Sequence, residues 1–218
     1  MSCLADLLTI YPESWKHSNT YYLDLAGGIL IDPGLDKTPD FNRPVAKIFA
    51  THGHYDHLRA IEAWLADGAE FYYPEGDLIL LDDIEANASK LFADKRTFPQ
   101  PDHLLKDLDQ VDLGQGYTIT CYHTPGHTPG SSCLLLSHHD VQGLTQALCL
   151  FSGDTIFSNS IGRTDLLAGD PQAMDQSLNR LKELLATWPA DLPILSGHGP
   201  ATSRADLLSK NPYFRSLA

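Results

Sequence analysis

The apolar positions fall into two patterns. Short continuous apolar runs bounded by turn residues read as strands: "GILIDPG", "AKIFATH", "AEFYYP", "YTITCYHT", "SSCLLLS", "ALCLFSGD" and "DLPILSGHG". Between some of them the apolar residues recur at helical spacing. Leu58, Ile61 and Leu65 do so, with Trp64 beside them, and so do Met174, Leu178, Leu181 and Leu185. Asp170-Pro171 starts the second of these helices, as a cap followed by proline at the first helical position. Glu75 to about Phe92 also reads as helix, and "SHHDVQGLTQ" reads as a hairpin loop between two strands. Strands and helices occur in both halves with no linker between them. The expected architecture is a layered α/β sandwich in one domain, residues 1–218.

Composition narrows the function classes. The apolar content of 43% allows a sizeable core. No run is long enough to span a bilayer, and no basic region followed by an apolar stretch opens the chain, so a cytoplasmic protein without a membrane partner is expected. The net charge of −13 disfavours nucleic acid as a partner. Cys3, Cys121, Cys133 and Cys149 show no paired spacing; three lie in apolar runs and read as buried, reduced thiols.

"THGHYDHLRA" changes the picture, because it places three of the ten histidines and an aspartate within six residues. His52 and His54 follow a predicted strand. In extended backbone, positions i and i+2 point to the same side, so the two imidazoles can share one ion. Asp56 and His57 come where the chain turns into a helix and can face a second ion nearby. Other strand ends repeat the theme: His127 in "HTPGHTPGS", Asp154 in "FSGDT" and His198 in "LSGHGP". Each has glycine close by, which lets backbone approach a crowded site. His123 and Asp32 are candidates for orienting a ligand, with a turn-stabilising role equally open for Asp32. His17, His103, His138 and His139 read as surface residues.

An HxHxDH motif followed by a distant His, Asp and His resembles the signature of the metallo-β-lactamase superfamily. "HTPGHTPGS", "SGDTIFSNSIGRTDLLAGD" and "GHGPATS" are similar to the glyoxalase II-like, or hydroxyacylglutathione, hydrolases. The short form of that group, without a C-terminal helical domain, is the nearest in pattern. The resemblance implies a four-layer αββα fold and two divalent ions, zinc first with iron or manganese as alternatives. His52, His54 and His127 would hold one ion, Asp56, His57 and His198 the other, and Asp154 would bridge them.

A bridging hydroxide would then cleave a small-molecule thioester such as S-lactoylglutathione, with Asp56 orienting the nucleophile. Arg163 stands where longer members carry a lysine that binds a glutathione carboxylate; pairing with Asp165 is the competing role. Two departures from the pattern are Arg59-Ala60, where glycines are common, and Asp165, where a tyrosine is. The "GRTD" stretch is also similar to mononuclear iron persulfide dioxygenases, which gives an alternative activity.

Overall fold

The computed structural model describes residues 4–37, 41 and 43–215. A short helix α1 (Leu4–Leu7) leads into strands β1 (Leu8–Tyr11), β2 (Thr20–Leu23), β3 (Ile29–Ile31) and β4 (Lys47–Phe49). Helices α2 (Tyr55–Leu58) and α3 (Ile61–Leu65) precede β5 (Glu70–Pro74) and, after an irregular stretch, β6 (His103–Leu105). The second half supplies β7 (Gln110–Gly114), β8 (Tyr117–His123), β9 (Ser132–His139), β10 (Thr145–Gly153), α4 (Pro171–Thr187), β11 (Pro193–Ser196), β12 (Thr202–Ser203) and α5 (Arg204–Lys210).

Two sheets of six strands result, ordered β1-β2-β3-β4-β5-β6 and β12-β11-β10-β9-β8-β7. The first is antiparallel from β1 to β3 and parallel from β3 to β6. In the second, β10 and β11 run parallel and the other neighbours antiparallel.

The strand period of two sorts side chains between layers. Ile29, Ile31 and Phe49 meet Leu134, Leu136 and Phe151 between the sheets. Leu30, Ile48 and Phe71 point the other way, onto Leu58, Ile61 and Trp64. Cys133, Leu135, Leu150 and Ile194 face Met174, Leu178, Leu181, Leu185 and Leu207. Both sheets are therefore covered on both faces, which explains why their strands read as continuous apolar runs. The order of layers is helix, sheet, sheet, helix, as expected. Cys121, Cys133 and Cys149 are buried free thiols; Cys3 lies outside the described residues.

α4 forms as its sequence indicates. The Asp170 carboxylate accepts from the amides of Gln172 at 2.8 Å and Ala173 at 3.1 Å, with Pro171 opening the helix. The hairpin loop also stands: Asp140 closes it by accepting from Gln142 and Leu144, each at 2.9 Å. The helix expected from Glu75 to Phe92 is absent. Two 3-10 segments, Glu75–Leu81 and Ser89–Phe92, stand there instead. Backbone in the left-handed region at Ala88 (φ 62°) and Ala93 (φ 58°) limits the second, and Asp77 is drawn inward, where an α-helix would have carried it elsewhere. The helical stretch after His54 is likewise broken at Arg59-Ala60 into α2 and α3. No helix among the described residues is long and apolar enough to cross a membrane.

Candidate metal centre

Every residue singled out around "THGHYDH" and the later strand ends reaches one edge of the sandwich. His52 stands three residues past β4, and His54 caps α2. Asp56 and His57 lie in the first turn of α2. His127 comes from the loop between β8 and β9, Asp154 directly follows β10, and His198 lies two residues past β11. The first four ride on one sheet and the last three on the other, so the site straddles the two sheets.

Their side chains form three overlapping groups: His52, His54 and His127; His52, His57 and Asp154; and Asp56, His57 and His198. Within each group the donor atoms lie within 4.8 Å of one another. Asp154 sits between them. Its Oδ1 is 3.3 Å from His57 Nε2, and its Oδ2 is 3.5 Å from His127 Nε2 and 3.6 Å from His198 Nε2. His198 Nε2 is 3.0 Å from Asp56 Oδ2, and His54 Nδ1 is 2.9 Å from His127 Nε2.

Three of the rings face a neighbour on their far side. His127 donates through Nδ1 to the Arg163 carbonyl at 2.7 Å, and His198 donates through Nδ1 to Glu13 at 2.6 Å. His57 Nδ1 lies 2.9 Å from Asp32 Oδ2. Asp32 also accepts from the amide and hydroxyl of Thr51, each at 2.8 Å, so it orients His57 and braces the residue before His52. Such outer partners fix the tautomer of a ligating imidazole. His123 does not join this shell; its Nε2 pairs with the Pro129 carbonyl at 2.7 Å and braces the loop that carries His127.

Electrostatics separate the histidines. Burial, reinforced by neighbouring imidazoles, drives His52 far below its usual value and His54 down to about 3, so both are neutral, the ligating form. Burial also works against charge on His57 and His198, but carboxylates overcome it. Asp32, Asp154 and Asp56 hold His57 well above its usual value; a hydrogen bond to Asp56, with the charge of Asp154, raises His198 to about 9. Asp154 and Asp56 are lowered in turn, burial being outweighed chiefly by His57 and its fellow histidines. Without an ion, protons on His57 and His198 supply the positive charge these carboxylates demand.

The donor set fits divalent metal. Nε2 of His52, His54 and His57 and Oδ1 of Asp154 are buried with no hydrogen-bond partner. Three of these, His52 Nε2, His57 Nε2 and Asp154 Oδ1, belong to one of the close groups and would carry a heavy desolvation penalty in a purely structural cluster. Ions bound there by nitrogen and carboxylate oxygen would satisfy all three.

Comparison with known proteins agrees with this geometry. Residues 14–192 match the profile of the metallo-beta-lactamase superfamily. The chain belongs to that superfamily. It is 30% identical to the probable metallo-hydrolase YqgX of Bacillus subtilis (strain 168) over 176 residues, covering 78% of this chain and 76% of that protein. It is 26% identical to the hydroxyacylglutathione hydrolase GloC of Haemophilus influenzae over 215 residues, covering 88% and 90%. Among solved structures it resembles the BLEG-1 B3 metallo-beta-lactamase (TM-score 0.76, 31% identity, 95% of this chain and 99% of that one). It also resembles TTHA1623 in a di-iron-bound form (TM-score 0.75, 27% identity, 94% and 99%).

Arg163 lies at the surface. Its guanidinium grips Asp165 in a fork, Nε to Oδ1 at 2.6 Å and Nη2 to Oδ2 at 2.9 Å, with both side chains mostly exposed. Of its two candidate roles the structure displays the ion pair, while its backbone carbonyl serves His127. Of the four histidines expected at the surface, His103 and His139 are exposed, whereas His17 and His138 are half-buried, the latter packed on Tyr117. Glu13 and Asp77 are structural partners of the site that the sequence did not signal.

Proposed function

We propose that the protein is a dinuclear metal-dependent hydrolase of thioesters, acting on S-lactoylglutathione or a related hydroxyacyl thiol. The carrying observation is the placement of Asp154, whose two oxygens face histidines from both three-residue sets. His52, His54 and His127 would hold one ion and Asp56, His57 and His198 the other, with Asp154 shared. Imidazole and carboxylate suit zinc, iron or manganese. Zinc is the first expectation, and the di-iron form of a structural neighbour supports iron as the alternative. When bound, such ions supply a water of lowered pKa and a Lewis acid for the scissile carbonyl.

The chain's own groups orient and exclude. Asp56, 3.0 Å from His198 Nε2 and held ionised by the histidines around it, is placed to accept a hydrogen bond from the nucleophile and aim it. The Phe157 ring, with its centroid 6.3 Å from that of His198, gives the site an apolar wall. A thioester suits this centre because its leaving thiol has a pKa of about 8.5 and departs as thiolate without a protonating side chain. Likeness to GloC supports the same substrate class. The partner is then a small-molecule thioester, and the net charge of −13 counts against nucleic acid.

The competing activity, persulfide oxidation at a single iron, needs only one ligand set. The complete Asp56, His57 and His198 group favours two ions instead. Metal analysis with parallel assays tests the proposal: thiol release from S-lactoylglutathione, oxygen uptake with glutathione persulfide, and opening of a chromogenic β-lactam. Two equivalents of metal with thiol release support it. One equivalent of iron with oxygen uptake, or turnover confined to the β-lactam, refutes it.

A further inference from the structure

The geometry points to Asp77 as a positioning residue that fixes the His52, His54 and His127 cradle, and so sets how tightly that half of the site holds its ion. This rests on the metal-centre reading above. Asp77 is fully buried at 0% exposure, in the segment after β5. Its Oδ2 accepts from the Gly53 amide at 2.8 Å and from the Thr128 hydroxyl at 2.7 Å, and its Oδ1 accepts from the Gly130 amide at 2.5 Å. Gly53 is the residue between His52 and His54, and Thr128 directly follows His127.

These two loops belong to different sheets. His52 and His54 follow β4 in the first sheet, and His127 comes from the β8–β9 loop of the second. One carboxylate therefore ties together the two pieces of backbone that must meet for three imidazoles to face one ion. The junction is too close for slack. A Cβ on Gly130 would lie 2.5 Å from the Asp77 amide nitrogen, and one on Gly76 would lie 2.8 Å from the Gly130 Cα. The backbone of Asp77 is fixed as well, because Tyr73 donates its hydroxyl to the Asp77 carbonyl at 2.8 Å. Burial pushes the Asp77 carboxyl pKa up, while the three donors pull it back.

The other half of the site is held differently. His57 faces Asp32, and His198 faces Glu13. All three side-chain hydrogen bonds of Asp77 go to the first cradle. A carboxylate that merely held the fold together would show no preference between the two halves, so the preference is what identifies a positioning role.

Zinc titration of the metal-free Asp77→Asn protein against a chromophoric chelator tests this. The amide keeps the shape but presents a donor where a donor already stands. Wild type is expected to take up two equivalents. In the variant one should be loosened by about 10- to 100-fold and the other changed by less than about twofold. The loosened equivalent should be the one that persists when His198→Ala removes the other half. Unchanged binding of both, or equal loosening of both, overturns the proposal. Should Asp77→Asn not fold, Thr128→Val, which removes one of the three donors, decides in its place: it is expected to loosen the same equivalent by a smaller factor. Wild type that binds no zinc would refute the metal reading itself. Hydrogen exchange of the Gly53 and Gly130 amides in the metal-free proteins then decides, slow in wild type and fast in Asp77→Asn being expected and equal rates overturning the clamp.

Discussion

Glu13 and His198 are 185 residues apart in sequence and 2.6 Å apart in space. The second Glu13 oxygen accepts from the Gly199 amide at 3.0 Å, so this carboxylate fixes both the ring and the backbone beside it. With Nδ1 committed to Glu13, the His198 Nε2 is the nitrogen left facing Asp56 and Asp154. Asn19 secures the same corner by accepting from the Glu13 amide and donating to the carbonyls of Ser196 and Gly199.

Glu13→Ala is accordingly expected to lower zinc affinity in the Asp56, His57 and His198 half by about tenfold or more. The other half should be little changed. Chelator competition on the metal-free variant measures both. Equal affinity in wild type and variant would show that His198 keeps its orientation without Glu13.

Asp154 should behave differently, because it faces both halves. Asp154→Asn keeps the shape and removes the charge that both sets of imidazoles meet. Both equivalents of metal should be weakened, and hydrolysis should fall with metal content. Full metal content with altered substrate affinity alone would contradict the shared position.

These relationships differ in how far the sequence disclosed them. The convergence of the seven candidate ligands was legible because strand ends of an α/β sandwich carry functional groups, and histidines at such ends are conspicuous in type and spacing. The α4 face was legible for a local reason too, since Met174, Leu178, Leu181 and Leu185 share one side of a single helix. Glu13 and Asp77 gave no local signal: an acidic residue, in a loop or on an expected helix, looks solvated until the fold brings a partner 185 or 53 residues away against it. The Glu75–Phe92 stretch misled for the same reason. Only contact of Gly76 and Asp77 with Pro129 and Gly130 shows why the backbone takes a tighter path there.

The ion pair of Arg163 with Asp165 makes a separate prediction. An exposed pair of this kind contributes little to stability, because water screens it. Nothing in it touches the metal cluster except through the Arg163 carbonyl, which any residue supplies. Arg163→Ala should therefore leave metal content unchanged and leave KM for S-lactoylglutathione and for a neutral thioester equally unaffected. A rise in KM confined to the anionic substrate would show that a substrate carboxylate takes the place of Asp165 on the guanidinium.

Removing the metal should reshape stability against pH. In the metal-free protein His54 binds a proton only near pH 3, against 6.5 for a free side chain. The unfolded chain therefore gains protons that the folded one refuses, and stability falls as pH drops below about 6.5. His198 runs the opposite way. Its folded value of about 9 lies above 6.5, so its contribution is complete below 6.5 and is lost as pH rises towards 9. These two groups favour a maximum near neutrality for the metal-free protein. An ion on His198 would replace that proton, so the loaded protein should keep its stability on the alkaline side. Melting temperatures measured from pH 5 to 9 with and without chelator check this. The same alkaline loss in both forms would mean that His198 binds no ion.

Gly197 offers the sharpest separation of site from fold. It lies between Ser196, which ends β11, and His198. A Cβ built there would stand 2.2 Å from Asp154 Oδ1 and 2.5 Å from His57 Cε1, closer than such atoms approach. Its backbone is not in the left-handed region, so alanine meets no conformational penalty and the objection is entirely one of space. The obstruction falls on Asp154, the proposed bridging carboxylate, and on His57, a proposed ligand of the second half, both of which would have to retreat. Gly197→Ala is therefore expected to lose the second equivalent of metal and to cut hydrolysis by at least tenfold. The secondary structure should survive, because β11 keeps its pairing with β10 and β12. Metal analysis beside circular dichroism reads both quantities on one sample. Full metal content in a folded Gly197→Ala protein would mean that the carboxylate and the imidazole are not held where the proposed centre requires them.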